Sequence, residues 1–323
     1  MFKQLIKITV LLFLFSLFSV STFSQRRRVI VRKGQSQKSS LELEKDTNNV
    51  RKASGLYLQK KEKPCNCNTD LEYDQSTGLM YSKNKKGSPL FTGTCISFFP
   101  NRKLERQSNF VKGKINGKTF EFHKNGVLKS IINHNMGKIH GEWKEWHKDS
   151  TLKFEKNYHL DLKNGKQAFY YPNGILKKVE FYNMNVKEGI FKKYHKNGSL
   201  KSEISYKKNQ FDGIYNKYTN DSVTIMERAY IKGVIDGNDK YYYKDGELAY
   251  HHFYKDGKKE GRWFYYFENG DEERMEEYRK GKKMGTWEVF HDNGKLKSQI
   301  IYNKKGIVIS NKLFNKFGEP IEK

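Results

Sequence analysis

Hydrophobic positions along the chain fall into segments of six or seven residues rich in Tyr, Phe, Trp and Leu. Glu142–His147 and Leu152–Tyr158 are examples, and short polar stretches, most of them containing glycine, separate such segments. Such segments have the length and composition of β-strands and are too short for amphipathic helices. They recur with a fixed period. Gly93, Gly117, Gly141, Gly165, Gly189, Gly213, Gly237, Gly261 and Gly285 stand 24 residues apart, giving nine units over 93–308. Five positions after each glycine stands a ring: Phe98, Phe122, Trp146, Tyr170, Tyr194, Tyr218, Tyr242, Tyr266 and Phe290. Seventeen positions after it stand Phe110, His134 and then Tyr158 and its successors through Tyr302. A Leu column runs from Leu104 to Leu296 and lapses at Thr224 and Glu272.

Two further columns carry turn chemistry. One holds Asn125-Gly126, Asn173-Gly174, Asn197-Gly198, Asp245-Gly246, Asn269-Gly270 and Asn293-Gly294. The other holds Gly113, Gly137, Asp161, Asn185, Asn209, Gly233, Gly257 and Gly281. Asn-Gly and Asp-Gly tolerate the positive φ that tight hairpin turns need. Each unit therefore reads as one hairpin, too small to fold alone and stabilised by stacking on its neighbours. Cross-strand aromatic pairs add on the order of 0.2–1 kcal/mol each, so stability accumulates with repeat number. Leu152 and Tyr158 share parity and face one side of the sheet, whereas Trp143 and Trp146 do not. Either both faces carry rings or a bulge shifts the phase. The expected fold is all-β: an elongated antiparallel β-hairpin repeat array with degenerate caps, an entry hairpin over 71–92 and a partial tenth unit over 309–323.

The first 24 residues follow a different pattern. Lys3 and Lys7 precede an apolar run over Ile8–Val20, with small Thr22 and Ser24 ahead of Gln25. That is the layout of a signal peptide, cleaved near Ser24, with an uncleaved signal anchor as the alternative. No cysteine lies at the cut, which argues against a lipoprotein anchor. The stretch 25–70 is polar and reads as a disordered linker, with a weak strand at Val29–Val31 left open. The expected location is the periplasm, the outer envelope or the medium.

Composition adds a large charge. Lys+Arg number 62 and Asp+Glu 36, a formal +26, which falls to +24 once Lys3 and Lys7 are removed. In an exported chain this makes nucleic acid an unexpected partner. The lysines are spread through the turns, which suits a solvated surface that guards sheet edges. Their summed field would still attract anionic membrane or an acidic envelope polymer at low salt.

Candidate chemistry is sparse. Of nine histidines, His123, His147, His195 and His291 share a column with Phe99, Tyr171, Tyr243 and Phe267, which points to ring packing. His251 and His252 are adjacent and point to opposite faces of a strand, so they cannot chelate together. Cys65, Cys67 and Cys95 are the only thiols. An oxidising compartment would allow a Cys67–Cys95 or Cys65–Cys95 disulfide stapling the entry segment to the first hairpin. The C-x-C spacing with one distant cysteine is a poor zinc set. Acidic runs at Asp271–Glu273 and Glu276-Glu277 lack a nucleophile with an oriented base, and no phosphate loop or dinucleotide fingerprint is present. No catalytic, cofactor or metal residues are expected, and the chain reads as non-enzymatic.

A unit of the form Gly-x-Trp-x-x-Tyr-x-x-Asn-Gly-x-Leu-x(5)-Tyr resembles the MORN repeat variant, most closely at Gly261–Asn269 and Gly285–Lys297. Leu90–Gly93 is similar to the start of the bacterial YwqK-like family, described as antitoxins of toxin–antitoxin pairs. The resemblance implies partner binding, scaffolding or membrane-lipid contact in place of catalysis. The first functional expectation is a protein-interaction scaffold of the cell envelope, with Trp143, Trp146, Trp263, Trp287, Tyr194, Tyr218, Tyr242 and Tyr266 as candidate anchors. The alternatives are a binder of anionic lipid or acidic polymer through distributed lysines, and an antitoxin-like protein.

Overall fold

The computed structural model describes residues 65–83, 87 and 89–321. The leader over 1–24, the strand left open at Val29–Val31 and most of the linker lie outside the described residues. Within them the fold is a long meander. Twenty-five strands form one sheet, and a second, two-stranded sheet pairs Leu71–Asp74 with Leu79–Ser82. From Gly93–Phe98 to Val308–Leu313 successive strands pair antiparallel with their neighbours.

Repeat 5 shows how the sequence builds a unit. Gly189–Tyr194 pairs with Leu200–Lys207, which pairs in turn with Gln210–Phe211 and, past a break, Gly213–Tyr218. The Asn-Gly turn between the first two is a three-residue loop. The His195 amide donates to the Ser199 carbonyl at 2.9 Å and the Gly198 amide to the His195 carbonyl at 3.0 Å. Only Gly198, at φ 91°, is left-handed there. The asparagine keeps negative φ, so its use is not the backbone tolerance the sequence suggested. Its side chain accepts the Ser199 amide and donates to the Asn220 carbonyl one repeat on. The two-residue turn lies in the other column, where Lys208 and Asn209 both have positive φ, 50° and 68°. That is a type I′ turn, whose twist matches the flanking strands.

Of the nine glycines in the column, Gly93, Gly117, Gly189, Gly213, Gly261 and Gly285 begin a strand, while Gly141, Gly165 and Gly237 lie inside a continuous one. Between Tyr206↔Phe211 and Glu203↔Asn216, two residues on one strand oppose four on the other, and Gly213 at φ 123° lies in the excess. A side chain there would be forced into a region that L residues rarely occupy. The same layout decides the parity question. Trp143 packs with Phe154 and Tyr158 at 5.4 and 6.0 Å, while Trp146 pairs with Leu152 beyond a register shift, so both faces carry rings and the bulge puts Leu152 on the face opposite Tyr158, against their shared parity.

The N-terminal end departs from the expected linker. Cys65–Asn66 runs parallel to Gly93–Phe98, and the Cys67 amide donates to the Ile96 carbonyl at 2.8 Å. Residues 65–70, read as linker, therefore belong to the cap. The disulfide joins Cys67 to Cys95, with 5.2 Å between Cα atoms, and not Cys65. Leu71, Cys95 and Phe110 form a buried cluster against which Met80, Phe91 and Ile115 pack. At the other end, a bridge between Phe314 and Pro320 closes the partial tenth unit.

A methyl group at Gly113 would stand 2.9 Å from the Met80 carbonyl oxygen, whereas one at Gly174 meets nothing within 4 Å. Both glycines have positive φ. Gly174→Ala should therefore cost about 1 kcal/mol of backbone strain alone. Gly113→Ala should cost more and loosen the entry hairpin. Urea midpoints and hydrogen exchange over 71–91 measure the difference.

Candidate interaction surface

The ring column assigned to packing also forms hydrogen bonds between repeats. His123 Nε2 lies 3.0 Å from the Trp146 carbonyl, His195 Nε2 3.1 Å from that of Tyr218, and His291 Nε2 3.1 Å from that of Phe314. The Tyr171 and Tyr243 hydroxyls donate to the Tyr194 and Tyr266 carbonyls in the same way. Each bond spans 23 positions, from one unit to the next. The asparagines of the three-residue turns repeat the device: Asn125, Asn173 and Asn293 donate to the carbonyls of Lys148, Lys196 and Lys316. What looked like a demand for flat rings is also a demand for a polar tip at ring distance, which Phe99 and Phe267 do without. Side-chain polarity within the column was the available signal.

Rings recur on one face two and seventeen positions after the glycine, with Cys95, Thr119, Gln167 and Asp239 in place of the first in four repeats. In the last repeats they form a zigzag, Tyr254–Trp263–Tyr278–Trp287–Tyr302, with centroids 5.0, 5.2, 5.1 and 5.1 Å apart. Lys259 lies over Trp263 at 4.0 Å and Lys283 over Trp287 at 4.4 Å, each stem covering ring surface. The eight proposed anchors divide between the two faces: Trp143, Trp263 and Trp287 on this one, Trp146, Tyr194, Tyr218, Tyr242 and Tyr266 on the other. None is exposed, and Trp146 and Trp263 are buried. Their neighbours along the ladder already take up the surface an anchor would offer, so the repeated rings serve cohesion first.

Asp239 occupies the ring column in repeat 7 and is bound by Arg228 through two bonds of 2.9 Å. Beside it His252 stacks between Tyr250, at 4.1 Å, and Trp263, at 3.9 Å. Burial, helped by the charge of Lys259, pushes the His252 pKa down to about 3. Its Nε2 has no hydrogen-bond partner among the described residues. A neutral imidazole walled in by rings is inaccessible to a substrate proton. Among the described residues no group of three His, Cys, Asp or Glu side chains is placed to hold a metal.

Exposed apolar residues are spread over the sheet, Phe98, Ile190, Ile214, Ile231, Val234 and Tyr241 among them, and one row of them follows a single edge. Met136, Leu160, Leu162 and Met184 are 43, 37, 38 and 42% exposed along the type I′ turns of repeats 2–4. Met136, Leu160 and Met184 each hold φ 47° as the first turn residue. Lys112 and Lys208 occupy the same position in repeats 1 and 5. A groove of about 320 Å³ at this edge is lined by Tyr73, Met80, Ile115, Met136 and Lys138.

The MORN repeat variant family model matches residues 115–136, 139–159, 163–184, 187–208 and 285–304. No curated protein matches the chain. Among solved structures, the crystal structure of TcdB2-TccC3 is 10% identical over 68% of this chain and 14% of that one, at a TM-score of 0.17. That of TcdB2-TccC3-Cdc42 is 9% identical over 78% and 18%, also at 0.17. The chain thus spans less than a fifth of either. Superpositions this loose bear on neither fold nor function.

The folded pKa of His252 lies below its ordinary 6.5, so the unfolded chain takes up the proton first as pH falls. Stability should drop between pH 6.5 and 3 by up to about 1.4 kcal/mol per unit from this group. His252→Phe keeps the stack and should flatten that slope by one proton, as urea titrations at pH 7, 5 and 4 would register.

Proposed function

Because five stretches of the chain match the MORN repeat variant model, we propose that it is a MORN repeat protein and a non-enzymatic scaffold, exported from the cytoplasm, that binds a protein partner along the edge and faces of its sheet. The observation that carries this reading is how the chain spends its functional groups. His123, His195 and His291, Tyr171 and Tyr243, and the asparagines of the three-residue turns spend their polar tips on the backbone of the next repeat. What is left over is a repeated surface with exposed apolar and cationic side chains at fixed intervals.

The Cys67–Cys95 disulfide supports export, because such bonds persist in oxidising compartments. It weighs against a cytosolic, antitoxin-like role. A second reading, contact with an anionic membrane or acidic envelope polymer, is favoured by the formal charge of +26. The partner reading ranks above it because exposed Met and Leu side chains are not needed to bind charge.

Two measurements test the proposal. Mass spectrometry of the mature N-terminus with cell fractionation should find Gln25 as the first residue and the protein outside the cytoplasm. Pull-down from envelope extract should recover a protein that withstands about 0.3 M salt, at which the Debye length has shrunk below about 8 Å. Vesicle co-sedimentation at low salt with no protein recovered would favour the second reading.

The bridge closes a loop with a sequence separation of 28. Cys67→Ala should therefore lower stability by roughly 3–4 kcal/mol. The loss should be confined to the entry cap and repeat 1 in hydrogen exchange.

A further inference from the structure

The geometry points to the type I′ turn edge of repeats 2–4 as a docking strip for an amphipathic helix with acidic flanks. This deepens the partner-binding reading above and rests on it.

Two costs meet at Met136, Leu160 and Met184: a positive φ that the type I′ turn demands in the other repeats as well, and an exposed apolar side chain that the fold does not need. Each of Met136, Leu160 and Met184 is a non-glycine residue at φ 47°, a conformation that costs an L residue on the order of 1 kcal/mol. Each also shows an apolar side chain to solvent, between 37 and 43% exposed. Other repeats avoid the second cost with Lys112, Lys208, Lys232, Asp256 and Lys280 at the same position. The turns beneath are held from the preceding unit. The Met136 amide donates to Asn116 Oδ1 at 3.1 Å, and the Asp161 amide to the Ile139 carbonyl at 2.8 Å. The apolar tips are therefore set on a fixed frame.

Their spacing selects the occupant. Successive tips are two strands apart, about 10 Å at ordinary strand spacing. One heptad of helix advances about 10.5 Å. A helix laid along the edge would place one apolar residue per heptad on each tip, with Leu162 and the Tyr73–Met136 groove widening the seat. Methionine side chains adapt to such a seam.

Charge sets the flanks. Lys112 and Lys208 close the row at its ends, and Lys114 and Lys138 are exposed beside it. The acids of this edge are already engaged: Asp161 accepts the Ile139 amide and Glu188 the Lys208 amide. The strip thus offers apolar contact bordered by a net positive charge, Lys112, Lys114, Lys138 and Lys208 against Asp161 and Glu188, which an acidic amphipathic helix complements.

The test uses the mature chain and a labelled synthetic helix of three heptads, with Leu along its seam and Glu on its flanks. Fluorescence anisotropy should show saturable binding. Met136→Lys, Leu160→Lys and Met184→Lys together should weaken it at least about tenfold, with circular dichroism and thermal midpoint retained, since lysine stands there in repeats 5, 6 and 8. Lys208→Leu, which lengthens the strip by one unit, should tighten it. Failure of the wild-type chain to bind, or equal binding by the triple variant, overturns the inference, as does binding to phosphatidylglycerol vesicles without the helix. A partner recovered equally by wild type and triple variant sinks the strip and leaves the scaffold standing. Recovery of no partner by either sinks the scaffold reading itself.

Discussion

Register between repeats depends on a backbone conformation that only glycine adopts at low cost. At every twenty-fourth residue from Gly93 to Gly285 the chain passes through positive φ. In repeat 5 the strand there takes in two residues more than its partner. The excess lets a short strand finish one hairpin and a longer one begin the next without leaving the sheet. Each repeat then meets its neighbour in the same phase, and side-chain bonds that span 23 positions can recur. Without that constraint, the His, Tyr and Asn columns would have no fixed carbonyl to reach.

The period, the strand lengths and the position of both turns were legible in the sequence, because each follows from local chemistry repeated many times. The roles of individual side chains were less so. Asn197 reads as a turn residue, yet its work is to bond Asn220 across the repeat boundary. His195 reads as a packing ring, yet its Nε2 meets the Tyr218 carbonyl. Both depend on the distance between neighbouring repeats, which a period in residues does not reveal. The cap was legible only in part. The C-x-C motif predicted a bridge to Cys95, but the choice of Cys67 follows from a short parallel strand at Cys65–Asn66 that no pattern announced.

The interaction surface was the least legible. Trp143, Trp263 and Trp287 drew attention as large rings, but a sheet with ring-rich faces packs them against rings of its own repeats. Trp263 touches both Tyr254 and Tyr278 at about 5 Å. Sequence alone cannot separate a ring that holds the array together from one that greets a partner. Exposure at Met136 and Met184 emerges only when the turns are built.

The bonds from each side chain to the carbonyl one unit along have a corollary for how such a chain changes over time. Nothing in one hairpin needs a particular hairpin two places away. Recombination that removes or duplicates a whole unit preserves every phase, whereas an indel of any other size dislocates all that follows it. Length is therefore a freely adjustable quantity in this design. The cheapest way to reposition a binding feature relative to the disulfide-bonded end is to change how many hairpins stand between them.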